Sequence, residues 1–431
     1  MRGSTPIRDL ASLAEHLKGY AFGLDPAGAA GADRRRIGAE AELLVWELDS
    51  GAVASVERTT TVLRAHGAPL GWVEGRTRKG HVSFALPAGG AVTFEPGGQL
   101  EYASPPLPTA SALLDHLAAV LEPLRLGAEE AGLELLALGL DPLHPPEAAP
   151  LQLGGPRYGA MAEYFAALGP AGARMMRQTA AFQVSLDGGA APFLRWTLLN
   201  RLAPVLVAMF ANSPLYAGRP TGDASHRAAT WRALDSSRTG IFVDPAAPVA
   251  SYLEFALCAP WMLRRTEIDA RGRWLPFCGW LARGEGTLEE WEEHLSTLFP
   301  EVRPHGRLEV RSMDAIDPEW YAAPVALLVG LAYDRATLAQ ATELLWAVDP
   351  ELLQRAGARG LADPTLARLA TDLCDLALAG CARLGPAYIA PHHLAVAGEF
   401  FDRYTRRGRA PGDDTGGQGR AMAVEGGYGG P

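Results

Sequence analysis

The sequence predicts an α+β chain built on an antiparallel or mixed sheet. Three observations lead there. Strand-like runs crowd into the first quarter and then recur singly between helical stretches, so the regular alternation of a doubly wound sheet is missing. The glycine pairs Gly97-Gly98 and Gly154-Gly155 do not form a dinucleotide-binding fingerprint, and no G-K-[ST] triplet exists to make a P-loop. No stretch of linker composition divides the chain, so residues 1–406 read as one domain. Residues 407–431 read as a Gly-rich tail, expected to be disordered.

The elements follow in order. Ile7, Leu10, Leu13, Leu17 and Tyr20 recur at helical spacing and predict a helix over 7–22. Gly28–Arg36 is small, flexible and then basic, and Ile37–Glu47 reads as a strand. Val53–Tyr102 is a strand-rich zone cut by Gly and Pro. Leu113, Leu114, Leu117, Val120, Leu121 and Leu124 predict a long helix over 108–133. A proline-rich connection, Pro142–Pro156, precedes a helix at Met161–Met176, a strand at Gln178–Leu186 and an apolar helix at Leu194–Ala211. Asn212–Pro245 is turn-rich and carries many arginines. A helix at Leu288–Phe299, a strand at Arg307–Ser312 and at least two helices over 324–384 complete the series.

Composition narrows the function. The chain has 431 residues and a formal net charge of −10, which argues against a general nucleic-acid binder. Lys18 and Lys79 are the only lysines, so anion handling is expected to fall on arginine or a metal ion. The four cysteines form no C-x-x-C pair, which excludes a zinc knuckle or thioredoxin-like site. His392-His393 lacks metalloprotease spacing and reads as a helix cap or surface pair, and no G-x-S-x-G occurs. The first 17 residues are broken by charges, unlike a signal peptide, and no apolar run reaches membrane-span length. A soluble cytoplasmic protein without membrane or nucleic-acid partners is expected.

Three segments put carboxylates where core-facing residues belong. In Ile37–Glu47 alternate residues share a face, so Glu40 and Glu42 point the same way as Leu44 and Trp46. A solvated strand start is the alternative reading. In the run from Val92 to Tyr102, Pro96-Gly97 suits the centre of a type II turn, with Gly97 supplying the positive φ. Glu95 precedes that turn, and Gln99 and Glu101 share a face after it. A plain surface hairpin would not need these residues. In Arg307–Ser312, Arg307, Glu309 and Arg311 share a face, which a salt-bridged surface strand would also give. Together, Glu40, Glu42, Glu95, Glu101 and Glu309 form an all-oxygen donor set suited to Mg²⁺, or to Mn²⁺ as an alternative. Arg227 and Arg238, in the turn-rich segment, are candidate forks for a carboxylate or phosphate.

These residues fall in motifs that resemble the glutamate–cysteine ligases of the carboxylate–amine ligase group. The motifs are G-A-E-A-E (38–42), E-P-G-G-Q-L-E (95–101), R-Y-G-A-M-A-E-Y (157–164), M-M-R-Q-T-A-A-F-Q-V-S-L-D (175–187), F-A-N-S-P-L (210–215), the stretch from Ser225 to Gly240, F-P-E-V-R (299–303) and L-E-V-R (308–311). They run in the family order from about residue 37 to 334 and look most like the ergothioneine-pathway type, then the plant type. The resemblance implies a glutamine-synthetase-like sheet curved into a funnel with helices outside, with 1–406 as the ligase domain. It implies use of ATP and Mg²⁺, with Glu40, Glu42, Glu95, Glu101 and Glu309 as metal ligands. Gln99, Gln183, Arg227, Arg238 and Arg311 would bind substrate or ATP, and Arg238 and Arg311 would serve catalysis. Glutamate and cysteine are the implied substrates, with γ-glutamylcysteine as product. Ser185, Asp223 and Ile316-Asp317-Pro318 depart from the family pattern. They motivate two alternatives: a sister ligase that uses another amine, or a non-catalytic nucleotide- or metal-binding relative.

Overall fold

The computed structural model of the chain describes residues 5–24, 34–244, 246–264, 273–284 and 286–414. Most of Gly28–Arg36, and all of 415–431, lie outside the described residues. Nine strands form the main sheet: β1 (Ile37–Glu47), β2 (Val73–Arg76), β3 (Val82–Ala85), β4 (Ala91–Phe94), β5 (Leu100–Ala103), β6 (Leu133–Leu136), β7 (Phe182–Leu186), β8 (Val302–Pro304) and β9 (Leu308–Val310). Their order is β8-β9-β7-β1-β5-β4-β3-β2, and β6 pairs with the second half of β1. Every pairing is antiparallel, so the expected α+β class holds.

Side-chain alternation gives this sheet two different faces. Ala39, Ala41, Leu43 and Val45 of β1, with Phe182, Val184 and Leu186 of β7, are buried in the main core. Phe182 stacks on Tyr321 at 3.9 Å, just before helix Ala322–Ala332, in which every residue is buried. That helix packs against Ala110–Glu130, Pro192–Met209, Pro364–Leu384 and Pro391–Arg403. The opposite face carries Glu40, Glu42, Thr93, Glu101, Gln183 and Glu309. Helices Pro156–Leu168, Ala171–Gln178, His226–Arg232 and Leu288–Leu295 supply residues to the wall across from it. Among the described residues no single helix is long and apolar enough to cross a membrane.

Four expectations need correction. The zone 53–102 contains a helix, Val56–Gly67. Ser55 caps it, and the hydroxyls of Thr59 and Thr61 donate back to the carbonyls of Ser55 and Glu57. The single helix expected over 161–176 is two, separated at Gly169-Pro170. The boundary at 407 falls inside packed chain: the Gly412 amide donates to the Ala211 carbonyl at 2.9 Å, and Tyr404 donates to Asp414 at 2.9 Å. In the turn after Glu95, Gly98 rather than Gly97 has positive φ, +91°. Gly97 is required for another reason, since a Cβ there would lie 2.3 Å from the Arg177 carbonyl oxygen.

Candidate active site

Strand register assembles the site. Glu42 stands opposite Glu101, Thr93 opposite Glu101, and Glu40 opposite Gln183. Glu309 stands opposite Ser185 on one side and Arg303 on the other. The turn joining β4 to β5 brings Glu95 to the same place: the Gly98 amide donates to the Glu95 carbonyl, and the Glu95 amide to that of Gln99, both at 2.9 Å. The result is a cleft of about 330 Å³ whose walls include Glu40, Glu42, Glu95, Glu101, Gln183 and Arg311.

A hydrogen-bonded row crosses the sheet beneath it. Glu42 accepts from the Ala181 amide at 2.9 Å and from the Gln183 amide nitrogen at 2.5 Å. Gln183 accepts in turn from Arg311 at 2.7 Å, and Arg311 and Arg303 both donate to Glu309 Oε1, at 2.5 and 2.7 Å. The Glu309 Oε2 is buried without a hydrogen-bond partner among the described residues.

The carboxyls fall into two electrostatic classes. Burial, then Glu309 and Glu101, push Glu40 up to about 7. Burial and Glu101 take Glu42 to about 7, and burial and Glu42 take Glu95 to about 7. Burial and Glu95 take Glu101 to about 8, although a hydrogen bond from Thr93 at 2.8 Å works the other way. Glu309 differs: burial raises it, but Arg303, Arg311 and Arg307 more than offset that and hold it at about 2. Protein groups alone therefore leave four carboxyls short of positive charge at neutral pH. A hard divalent cation is what such an oxygen-donor set fits. The glutamates line walls rather than converging on one point. Among the described residues the group whose ligand atoms do converge is Asp115, His392 and His393, where His393 meets Asp115 at 3.0 Å away from this cleft.

Other sequence expectations land elsewhere. Gln99 lines the cleft, but its side-chain oxygen accepts from the Gly97 amide at 3.0 Å and its nitrogen donates to the Thr179 carbonyl at 2.9 Å, so it braces the turn. Arg227 lies behind the cleft, donating to the Arg311 carbonyl at 2.9 Å and standing 3.7 Å from buried Asp314. Arg238 is not brought to the site and needs correction as a catalytic and binding residue. It is wholly buried, and its three nitrogens donate to Asp235 at 2.7 Å, the Thr297 carbonyl at 3.0 Å and the Pro260 carbonyl at 2.7 Å. Asp235, three residues earlier, supplies the anion that the turn-rich sequence seemed to leave for a ligand. Lys79, Arg157 and Arg303 also line the cleft, and sequence reasoning gave none of them a role. Lys79 thus stands at the cleft beside the arginines. Its rarity was the one available signal.

Comparison with known proteins adds the family. The chain is 35% identical over 344 residues to the glutamate–cysteine ligase EgtA of Mycolicibacterium smegmatis, covering 76% of this chain and 78% of that protein. It is 31% identical over 377 residues to the chloroplastic glutamate–cysteine ligase of Medicago truncatula, covering 82% and 73%. A crystal structure of glutamate–cysteine ligase from Francisella tularensis in complex with AMP superposes with a TM-score of 0.49 and 13% identity, over 92% and 90% of the two chains. Residues 36–373 match the family described as glutamate-cysteine ligase family 2, and every segment that builds the cleft except Tyr20 falls within that span. The chain belongs to glutamate-cysteine ligase family 2 and is an enzyme of the ligase class.

Proposed function

We propose that the chain joins the γ-carboxylate of L-glutamate to the amine of L-cysteine at the expense of ATP, giving γ-glutamylcysteine, ADP and phosphate. We place the reaction in the cytoplasm, as the first step toward ergothioneine or another low-molecular-weight thiol. The observation that carries this reading is the arc of Glu40, Glu42, Glu95 and Glu101, held near neutrality in titration around one cleft of a ligase-family chain.

The glutamate carboxylate oxygen attacks the terminal phosphorus of ATP, and the bond from that phosphorus to the ADP oxygen breaks. The amine nitrogen then attacks the γ-glutamyl phosphate carbon, phosphate leaves with the bonding pair, and the amine proton passes to solvent. Mg²⁺ fits the donor set. Glu40, Glu42, Glu95 and Glu101, which line the cleft, would supply the donors for one or more such ions, which would offset polyphosphate charge. Glu309 is wholly buried, off the cleft lining and paired with Arg303, Arg307 and Arg311. Arg311, fixed by Gln183 and Glu309, presents its fork at the cleft wall to a developing negative charge.

Neither Ser185 nor Asp223 lines the cleft, which weakens the case for a different amine. Ser185 accepts from Arg307 at 3.0 Å, and Asp223 pairs with His226 at 2.7 Å. The test is ADP release from ATP, Mg²⁺ and glutamate against a panel of amines. Turnover with cysteine supports the proposal. Turnover only with another amine moves the chain to a sister activity, and none with any amine overturns it.

A further inference from the structure

A second group of metal-ligating side chains lies outside the cleft. His392 and His393 stand in the first turn of helix Pro391–Arg403, and Asp115 lies in helix Ala110–Glu130. Each offers one ligand atom, and the three atoms lie within 4.8 Å of one another. His393 Nε2 is 3.0 Å from Asp115 Oδ1. The two imidazole rings lie 4.0 Å apart between centroids, inclined at 46°. Asp115 and His392 are exposed and His393 is partly buried, so an ion can reach them from solvent.

The backbone fixes this meeting. Ser111 and Asp115 are four residues apart and share one helix face. The Ser111 amide donates to the Tyr388 carbonyl at 3.1 Å, and its hydroxyl accepts from the Ala390 amide at 2.7 Å. One turn further along that face, Asp115 meets the residue three beyond Ala390. Ile389 is wholly buried, and the Tyr388 hydroxyl donates to the Arg35 carbonyl at 2.6 Å. The chain is therefore pinned where it enters the histidines. Neither histidine is spent on capping, because the cap position is Ala390 and no side chain caps the helix. A surface pair of His393 and Asp115 would account for the 3.0 Å contact but not for a third ligand beside it.

Two imidazoles and one carboxylate differ from the all-oxygen donors of the cleft. Mg²⁺ takes hard oxygens, whereas imidazole suits zinc. Zinc bonds of about 2.0–2.1 Å in a tetrahedron set ligand atoms about 3.3 Å apart. The His393–Asp115 contact is already close to that, and turning exposed side chains closes the wider spread. The positive end of the helix works against a cation here, and the Asp115 carboxylate offsets it. We propose that Asp115, His392 and His393 bind Zn²⁺, with water completing the tetrahedron. The ion replaces the proton shared by His393 and Asp115, which passes to solvent. It ties helix Pro391–Arg403 to Ala110–Glu130, and both of these pack against Ala322–Ala332. None of the three ligands lines the cleft, so the site acts on stability rather than on turnover.

The test uses the full chain without an affinity tag, stripped of metal and then held in Mg²⁺. Circular dichroism confirms that His392→Ala, His393→Ala and Asp115→Asn fold. In calorimetry the wild type is expected to take up one Zn²⁺, and each variant should weaken that uptake at least about tenfold. The uptake should persist in Glu101→Gln, which disables the donor set of the cleft. Zn²⁺ should raise Tm by about 3 °C in the wild type and leave the three variants unmoved. Cu²⁺ in its place should give an electron paramagnetic resonance spectrum split by two imidazole nitrogens, and by one after either histidine is replaced. Turnover in Mg²⁺ alone should not change in any of the three. Wild-type affinity for Zn²⁺ in a folded His392→Ala or His393→Ala overturns the site. So does a Cu²⁺ spectrum without nitrogen splitting, or uptake that is lost in Glu101→Gln.

Discussion

Two ends of one sheet face handle the same chemistry in opposite ways. At the β8–β9 end, Glu309 is wholly buried, yet it titrates at about 2 because Arg303, Arg311 and Arg307 surround it. At the β4–β5 end, burial and then neighbouring carboxylates push Glu95 and Glu101 up to about 7 and about 8, opposed on Glu95 by a hydrogen bond with Glu101, Lys79 and Arg311, and on Glu101 by the Thr93 hydroxyl. Burial raises both ends, so the neighbours decide the outcome: arginines at one end, like-charged carboxylates at the other. One end is neutralised by the protein itself. The other is left for a cation that arrives from outside. Glu40 lies between them: Glu309 and Glu101 push it up, Arg303 and Arg307 pull it down, and it stays at about 7.

The sharpest way to break this contrast is to make one substitution at both ends. Glu101→Gln or Glu95→Gln is expected to cut turnover by at least ~10³-fold, because the divalent-cation donor set is lost. The same change should leave metal-free thermal stability at pH 8 equal or higher, since a like-charge repulsion goes with it. Activity within tenfold of wild type in either variant would end the metal-site assignment. Glu309→Gln should do the reverse to stability. It leaves Arg303 and Arg311 facing each other without their shared anion, at a cost of about 3–5 kcal/mol in denaturant unfolding. A Glu309→Gln protein as stable as wild type would show that Glu309 is no internal counter-ion.

A smaller effect separates the ends by pH. Unfolded glutamates release protons near 4.5, whereas the folded chain holds those on Glu40, Glu42, Glu95 and Glu101 up to about 7–8. The folded state therefore binds more protons across that window, and its stability falls as pH rises through it. One carboxyl moved from 4.5 to about 7 corresponds to about 3 kcal/mol, and coupling keeps the four from adding. In a chelator, Tm is expected to be about 5 °C lower at pH 8.5 than at pH 5.5. Mg²⁺ should flatten that slope, and so should Glu101→Gln. Glu309 has the opposite sign: its contribution is complete above 4.5 and is lost only as pH falls through about 2. Equal slopes with and without Mg²⁺ would contradict the division.

How much of this was legible depended on how far each residue's partners lie along the chain. Strand β1 could be read from 37 to 47 because its alternation is local and Glu40 and Glu42 interrupt an otherwise apolar pattern. The carboxylates of E-P-G-G-Q-L-E were legible because the turn itself brings them together. The reason for Gly97 was not, since it is the Arg177 carbonyl, 80 residues away. Arg238 misled because an arginine beside turns looks free until the Thr297 and Pro260 carbonyls are seen to take its donors. Lys79 and Arg157 met the opposite fate: local sequence gave them no partner and no role, and only the fold brings them to the cleft that Glu95 and Glu101 also line.

The finest test lies inside the carboxylate-rich end. Thr93 stands opposite Glu101 and donates its hydroxyl at 2.8 Å, the one short neutral hydrogen bond lowering that carboxyl's proton affinity. Thr93→Val keeps the shape and removes the donor, so Glu101 should hold its proton to a still higher pH. At pH 7 a cation must then displace a more tightly held proton, and the Mg²⁺ concentration for half-maximal activity should rise about threefold, in line with one modest hydrogen bond. At pH 9 the carboxyl is ionised in both proteins and the difference should vanish. A threefold shift that persists at pH 9 would mean that Thr93 acts through packing. No shift at either pH would mean that the Glu101 proton does not compete with the cation at all, and the division between the two ends would then rest on Glu42, Glu95 and Glu40 alone.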